Sequence, residues 1–183
     1  DIILGLLEPD KGCIRVDNIP LSNKNIKSWQ RSIGYVPQHI YLSDTSITSN
    51  IAFGIEFKNI NHDAVKKAAK IANLHDFVIN ELPDQYQTKV GERGIRLSGG
   101  QLQRIGIARA LYNNPQVLIF DEATSALDNE TEKAVMDAVN NIKKNVTIII
   151  IAHRLNTVKS CDFIYRLDKG KIIDRGTYSD FFS

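Results

Sequence analysis

The sequence predicts an α/β fold in which helices flank a mostly parallel sheet, and two apolar runs predict it. Two apolar stretches, Val117-Leu118-Ile119-Phe120 and residues 146–152, which are apolar except for Thr147, have a helical segment between them. Strands that are apolar on both faces and separated by a helix are typical of a parallel sheet covered on both sides. A third observation, helical spacing within residues 40–113, predicts an inserted helical subdomain between core segments at about 1–39 and 114–183.

The elements before the insertion are short. Residues 1–7 are predicted to be the end of an apolar helix, since Pro9 and the turn residues after it stop the pattern. Residues 13–17 alternate like a half-exposed strand, and Ile33-Gly34-Tyr35-Val36 predicts a second strand that Pro37 ends.

Helical spacing dominates the middle of the chain and returns near its end. Residues 62–82 predict a helix with Asn61 as its N-cap, and residues 100–113 predict another with one apolar face. A further helix is predicted at about 130–143. Residues 162–174 predict a hairpin, because Asp168-Lys169-Gly170 is a turn signal.

The composition is that of a folded chain with little net charge. Hydrophobic residues make up 43%, and 23 Lys and Arg stand against 21 Asp and Glu. This excludes general disorder and gives no support for a nucleic-acid partner. No apolar run approaches the roughly 20 residues that a membrane span needs. Two cysteines, Cys13 and Cys161, predict buried thiols in a reducing compartment.

The strongest local pattern is Leu97-Ser98-Gly99-Gly100-Gln101 at the predicted start of a helix. The first N–H groups of a helix have no intrahelical partner, and the helix dipole favours an anion there. Two glycines let the backbone approach a ligand and Ser98 adds a hydroxyl, so the pattern predicts a phosphate site. Taken alone, Ser98 could equally be a plain N-cap before a flexible turn.

Two acids follow the first buried strand. Asp121 and Glu122 come directly after Phe120, at the carboxyl edge where open α/β sheets bind ligands. A divalent ion and a group that orients water supply most of what phosphoryl transfer needs. The alternative is that both acids only cap the next helix, where negative charge suits the dipole.

Together these motifs resemble those of the ATP-binding cassette (ABC) ATPases, which have a P-loop NTPase-like fold. Residues 97–101 match the family's signature motif, residues 117–122 resemble its Walker B strand, and residues 125–128 resemble its D-loop. Gln38 is similar to the Q-loop glutamine and His153 to the switch histidine. Five motifs in the family's order make the resemblance specific, and it covers essentially the whole chain.

The resemblance implies ATP and Mg²⁺ as ligands and assigns roles to single residues. Asp121 and Gln38 would hold Mg²⁺, Glu122 would polarise the attacking water, and His153 would contact the γ-phosphate. The residues implied in nucleotide binding are Ser98, Gly99, Gly100, Gln101 and Asp128. Asp128 could also be the N-cap of the helix that follows it.

The family's phosphate-cradling Walker A motif, G-x-x-x-x-G-K-[ST], is absent from this sequence. Motif spacing predicts its lysine only about four or five positions before Asp1. Because the chain begins within an apparent helix and its only methionine is Met136, we interpret it as an N-terminally truncated fragment. We therefore expect the isolated chain to have negligible affinity for ATP and no ATPase activity.

Two segments favour an exporter or flippase among ABC proteins. Residues 90–94 resemble the x-loop of exporters, and residues 46–54 resemble the segment that meets the coupling helices of their membrane domain. The resemblance then implies a domain at the cytoplasmic face of a membrane, with a second nucleotide-binding domain packed head to tail as its partner. A surface turn with solvated Glu92 and Arg93 is the alternative for residues 90–94.

Two other functions are compatible with the same residues. The first is an ABC ATPase that is not attached to a membrane, and the second is a module that kept the fold but lost hydrolysis. Glu122 and His153 are both present, which argues against the inactive module. The fold alone would not decide among these functions, because function depends on the site.

Overall fold

The computed structural model separates into two units, Asp1–Ile149 and Ile150–Ser183, which are described in turn. The structure describes residues 1–92, 94–123, 127–142, 146–152, 155–159 and 161–182. For residues 138–142, 155–156 and 182 it describes the backbone but not the side chains.

The first unit begins with a turn rather than the predicted helix. The N–H of Gly5 donates to the carbonyl of Ile2 at 2.9 Å, and Gly5 has a φ of 67°, which is outside the helical region. The predicted strand at 13–17 is shorter than expected. The elements that follow are β1 (Arg15–Val16), β2 (Ile19–Pro20), which pairs antiparallel with β1, and α1 (Ile26–Ser32).

A three-stranded sheet positions the acidic pair. Its order is β3-β4-β5, with β3 at Ile33–Val36, β4 at Val117–Asp121 and β5 at Thr147–Ile151. β3 and β4 run parallel, which agrees with the predicted parallel sheet. β4 is buried along its first four residues, but β5 is only half-buried, so the expectation that both faces of β5 are covered is wrong.

Residues 40–113 are mainly helical, but the predicted helix over 62–82 is two helices. Asn61 caps the first through its side chain, as expected, and the break falls at Asn73, whose φ is 52°. A left-handed residue cannot continue a right-handed helix. The helices are α2 (Ile47–Ile51), α3 (His62–Ile71), α4 (His75–Glu81) and α5 (Gly99–Tyr112), with single 3₁₀ turns at Phe57–Asn59 and Gln85–Gln87.

The helix α5 begins and ends where the sequence predicts, but it is buried nearly all round. Gln103, Gly106, Ile107 and Ala110 are buried, and so are Ile105, Ala108 and Leu111. The reason is that α5 packs against α2, α3 and β3 at once. The prediction of one apolar face was therefore wrong, because spacing within a helix does not reveal how many elements surround it.

The helix α6 (Asn129–Ile142) completes the elements before β5 and matches its predicted position. The second unit contains α7 (Leu155–Val158), β6 (Ile164–Asp168), β7 (Lys171–Gly176) and α8 (Tyr178–Phe182). β6 and β7 form the predicted antiparallel hairpin. Lys169 and Gly170 both have positive φ, as a tight two-residue hairpin turn requires.

The two cysteines differ in their exposure to solvent. Cys161 is half-buried, but Cys13 is exposed, so the prediction that both thiols are buried is wrong for Cys13. Among the described residues, no helix has both the length and the apolar character needed to cross a bilayer.

Candidate functional site

The register of β3 and β4 brings Gln38 and Glu122 together. Ile33 lies opposite Val117, and Gln38 and Glu122 are separated by the same offset of 84 positions, just beyond the ends of the two strands. Nε2 of Gln38 donates a hydrogen bond to Oε2 of Glu122 at 3.0 Å. Two residues that the sequence analysis singled out separately are therefore direct partners at the carboxyl edge of the sheet.

Tyr35 is a site residue that the sequence analysis missed. Its hydroxyl donates to Oδ2 of Asp121 at 3.1 Å. Partial burial, followed by this hydrogen bond, raises the pKa of Tyr35 above its ordinary value of 10.0. Tyr35 lies opposite Ile119, and Ile119 shares a sheet face with Asp121 because side chains alternate along a strand. The alternation of side chains could be predicted from the sequence, but the strand register that places Tyr35 beside Asp121 could not.

Glu122 occupies an unusual backbone conformation. Its φ is 51°, in the left-handed region that non-glycine residues rarely adopt, and its side chain is half-buried. Residues held in such conformations concentrate at functional sites. The sharp change of direction after Asp121 separates the two acids, so that one contacts Tyr35 and the other contacts Gln38.

The predicted phosphate-binding motif forms the N-terminus of α5. Oγ of Ser98 accepts from the N–H of Gln101 at 3.2 Å, and the N–H of Ser98 donates to Oε1 of Gln101 at 2.8 Å, which is a complete capping box. Ser98 and Gly99 are exposed and Gly100 is half-buried. The N–H groups of Gly99 and Gly100 have no intrahelical carbonyl to bond, so an anion could accept from them.

Asp128 is the N-cap that the sequence allowed. It accepts from the N–H of Thr131 at 2.9 Å and from Oγ1 of Thr131 at 2.7 Å. These two hydrogen bonds, the backbone one first, lower the pKa of the Asp128 carboxyl. Capping therefore accounts for Asp128 within this chain, and a role in nucleotide binding stays a prediction.

Some predicted residues lie outside the described part of the chain. These are His153, the D-loop residues Ser125 and Ala126, and Arg93 of the x-loop segment. The role of His153 at the γ-phosphate therefore stays a prediction.

Backbone hydrogen bonds join the chain where the two exporter-like segments begin, at residues 45–47 and 88–90. The N–H of Val90 donates to the carbonyl of Thr45 at 2.9 Å, and the N–H of Ile47 donates to the carbonyl of Thr88 at 3.1 Å. Ser46 and Lys89 form an antiparallel bridge between these contacts. Backbone hydrogen bonds therefore hold the chain that precedes the signature motif next to the segment that follows Gln38.

The donor set at the sheet edge fits Mg²⁺ only as part of a nucleotide complex. Within the described ranges there is no group of three or more His, Cys, Asp and Glu side chains that could hold a metal ion by itself. Mg²⁺ commonly binds through one or two carboxylates together with substrate phosphates. The carboxylate of Asp121 and the side-chain oxygen of Gln38 are hard donors of the kind that Mg²⁺ prefers.

One protein-family model matches most of this chain. The family model described as ABC transporter matches residues 1–125 of this chain. The chain belongs to the ABC transporter family. Family membership implies ATP as the ligand class, and it agrees with the resemblance that the signature, Walker B and Q-loop motifs indicated.

Curated members of the ABC transporter family align with nearly the whole chain. The ATP-dependent lipid A-core flippase of Saccharophagus degradans is 44% identical over 97% of this chain, which spans 30% of that protein. ABC transporter B family member 22 of Arabidopsis thaliana is 45% identical over 97% of the chain, which spans 15% of it. The multidrug resistance protein pgp-1 of Caenorhabditis elegans is 44% identical over 94% of the chain, which spans 13% of it. The chain therefore covers well under half of these ABC proteins.

A solved ABC structure has the same fold. It is described as a bacterial Atm1-family ABC exporter with ATP bound, and it matches 98% of this chain with a TM-score of 0.89 and 38% identity. The chain covers 31% of that protein. The parallel sheet flanked by helices is thus the P-loop NTPase-like fold of ABC proteins, as the sequence predicted.

Proposed function

We propose that this chain is part of the ATP-hydrolysing nucleotide-binding domain of an ABC exporter. The observation that carries the proposal is the pairing of Gln38 with Glu122 beside Asp121, at the carboxyl ends of adjacent parallel strands. The names of the aligned relatives, which are flippases, multidrug resistance proteins and B-family transporters, support the exporter type.

In the proposed reaction each acid has a separate task. Glu122 accepts the proton of the attacking water, and Gln38 orients Glu122 through the observed hydrogen bond. Asp121, oriented by Tyr35, would hold Mg²⁺ together with the side-chain oxygen of Gln38. Mg²⁺ would supply charge neutralisation for the β- and γ-phosphate oxygens. His153 would contact the γ-phosphate.

The signature residues act on a nucleotide held by a second copy of the domain. Ser98, Gly99 and Gly100 lie at an accessible helix N-terminus, which suits an anion presented by another molecule. In the proposed head-to-tail dimer each ATP lies between the acids of one domain and the signature of the other. Gln101 and Asp128 complete this surface.

Residues 40–113 form the proposed helical subdomain, and about 1–39 and 114–183 form the proposed core. The segment at 46–54 would contact the coupling helices of a membrane domain, which places the nucleotide-binding domain at the cytoplasmic face of that membrane. ATP binding would close the dimer and hydrolysis would reopen it, a two-state change that the ligand biases.

The proposal is tested by Glu122→Gln in the complete transporter that carries this domain. The amide cannot accept a proton from water, so we expect a loss of at least about 100-fold in ATP turnover. ATP binding should persist, because Glu122 acts on the water and not on the nucleotide. Equilibrium binding of labelled ATP and steady-state phosphate release measure the two effects separately.

Glu130→Gln provides a matched control, since Glu130 is an exposed acid in the first turn of α6. This variant should hydrolyse ATP at the wild-type rate. Wild-type turnover in Glu122→Gln would remove Glu122 from the proposed role. An absence of ATP hydrolysis in the wild-type transporter would contradict the proposed function as a whole.

A further inference from the structure

Arg109 connects α5 to the chain that follows Gln38. Its Nε donates to the carbonyl of Asn50 at 2.8 Å, and one terminal nitrogen donates to the carbonyl of Tyr41 at 3.0 Å and to Oδ1 of Asn50 at 3.4 Å. Its guanidinium carbon lies 4.5 Å from the centre of the Phe53 ring. Four contacts from one side chain thus span residues 41–53, which we call the 41–53 segment.

The 41–53 segment is itself organised around Asn50. The Asn50 side chain is fully buried, donates to the carbonyls of Ser43 at 3.0 Å and Ser46 at 3.2 Å, and accepts from the N–H of Ser43 at 3.0 Å. A buried polar group satisfied in this way fixes the backbone around it. A displacement delivered to Asn50 is therefore passed to the segment as a unit.

The chemistry of Arg109 favours a rigid connection. Burial lowers the pKa of its guanidinium, yet arginine stays charged in proteins, so its donors need acceptors. The acceptors are three neutral oxygens, and the Phe53 ring face adds a cation–π contact. The planar fork is pre-organised for several simultaneous acceptors, which the point charge of lysine is not.

A second contact holds the same face of α5. Gly106 lies one turn before Arg109, and a Cβ at Gly106 would collide with Cδ1 of Ile40. Glycine thus leaves room for the Ile40 side chain, just before the 41–53 segment, to pack directly against α5. Two points on α5 therefore hold residues 40–53, while the N-terminus of the same helix carries Ser98, Gly99 and Gly100.

We infer that Arg109 is a positioning residue that makes the 41–53 segment move with the signature end of α5. The inference rests on the proposed function, in which closure on ATP displaces Ser98 and its neighbours. Because α5 is one continuous helix, that displacement reaches Arg109, and its fork transfers it to Tyr41, Asn50 and Phe53.

The test is hydrogen–deuterium exchange on the complete transporter, without nucleotide and after trapping with Mg-ATP and orthovanadate. In the wild type we expect nucleotide to slow exchange both at the start of α5 and in the 41–53 segment. In Arg109→Lys we expect the response at the start of α5 to remain and the response in the 41–53 segment to be lost. The basal rate of ATP hydrolysis should stay within two-fold of wild type, which corresponds to a change of about 0.4 kcal/mol or less in the activation free energy.

Arg104→Lys is the matched control, because Arg104 is on the same helix but donates to the carbonyl of Asn73 instead. This variant should keep both responses. If Arg109→Lys proves too unstable to purify, Phe53→Leu removes the ring contact and leaves the hydrogen bonds, and it should weaken the response of the 41–53 segment alone.

Three outcomes would contradict the inference. A full response of the 41–53 segment in Arg109→Lys shows that the fork is not needed. Loss of the response at both places shows that Arg109 supports nucleotide binding or folding rather than coupling. A wild-type transporter with no exchange change anywhere contradicts the proposed function, whereas a change confined to α5 contradicts this inference alone.

Discussion

At the residue scale, the hydrogen bond from Tyr35 to Asp121 is the contact with the most direct chemical consequence. A hydroxyl that donates to a carboxylate fixes the direction of its lone pairs, and such bonds contribute about 1.5–3 kcal/mol. Tyr35 is at the exposed edge of the sheet, so the lower end of that range applies.

We expect Tyr35→Phe to raise the Mg²⁺ concentration for half-maximal ATP hydrolysis by about ten-fold, since Asp121 loses a donor that orients it. Titration of the complete transporter with Mg²⁺ at saturating ATP measures this. Tyr165→Phe, which removes an exposed hydroxyl on β6, should leave the titration unchanged. An unaltered Mg²⁺ midpoint in Tyr35→Phe would show that Asp121 needs no support from β3.

A second residue-scale prediction concerns acid stability at Asp128. Its pKa is lowered by Thr131 from an ordinary 3.8, so its contribution to stability is present above about pH 4 and is lost as the pH falls through the lowered value. Asp128→Asn should therefore be destabilised most near neutral pH, and the difference from wild type should shrink in acid. Urea unfolding of the chain at several pH values measures it.

Thr131→Val is the partner variant for this measurement. It keeps the volume of the side chain and the backbone donor but removes the hydroxyl that donates to Asp128. It should show a smaller change with pH than Asp128→Asn. A stability difference for Asp128→Asn that is constant from acid to neutral pH would contradict the assignment of the lowered pKa to this cap.

At the scale of elements, the junction between α3 and α4 depends on the left-handed backbone of Asn73. Asparagine tolerates this region better than residues without a short polar side chain, and glycine has no penalty there. Asn73→Ala should lower the free energy of unfolding by about 1 kcal/mol, whereas Asn73→Gly should be close to neutral. Chemical denaturation of both variants provides the comparison.

The carbonyl of Asn73 accepts from Arg104 in either variant, because that contact uses only the backbone. The two substitutions therefore differ in conformational cost and little else. Equal destabilisation by alanine and glycine would indicate that the side chain of Asn73, and not its φ, stabilises the junction.

Elements with strong local signals could be predicted from the sequence. The strand at 33–36 has a proline to end it, α5 has Ser98 to begin it, and the hairpin has a Lys169-Gly170 turn. Elements that depend on their surroundings could not be predicted. Little in the local sequence distinguishes the half-buried β5 from the buried β4, since four consecutive apolar residues lie in each strand.

At the scale of the whole molecule, motif order predicted the family, but the contacts within the site came only from the fold. Gln38 and Glu122 were chosen as separate motif residues, and their hydrogen bond follows from a strand register that no local pattern encodes. The hydrogen bond from Tyr35 to Asp121 depends on the same strand register. The motif residues of the site could thus be predicted from the sequence, but the contacts between them depend on how the strands pair in the sheet.

One prediction belongs to the chain as a whole. The sequence has no G-x-x-x-x-G-K-[ST] loop, so the backbone donors and lysine that grip the β- and γ-phosphates in this family are absent from it. Isothermal titration of residues 1–183 with Mg-ATP should show no binding with a dissociation constant below about 1 mM, which corresponds to a binding free energy of about −4 kcal/mol. Micromolar binding by this chain alone would mean that other groups here supply the phosphate contacts.

Because Glu122 has a positive φ, the residue that best suits stability at position 122 differs from the residue that ATP hydrolysis needs. Glycine accepts that geometry without penalty and glutamate does not, so a laboratory selection for heat tolerance alone would be expected to collect glycine at position 122. The winning clones would then melt later and hydrolyse nothing. Any directed-evolution library of the complete transporter that carries this domain needs a phosphate-release screen alongside its thermal challenge.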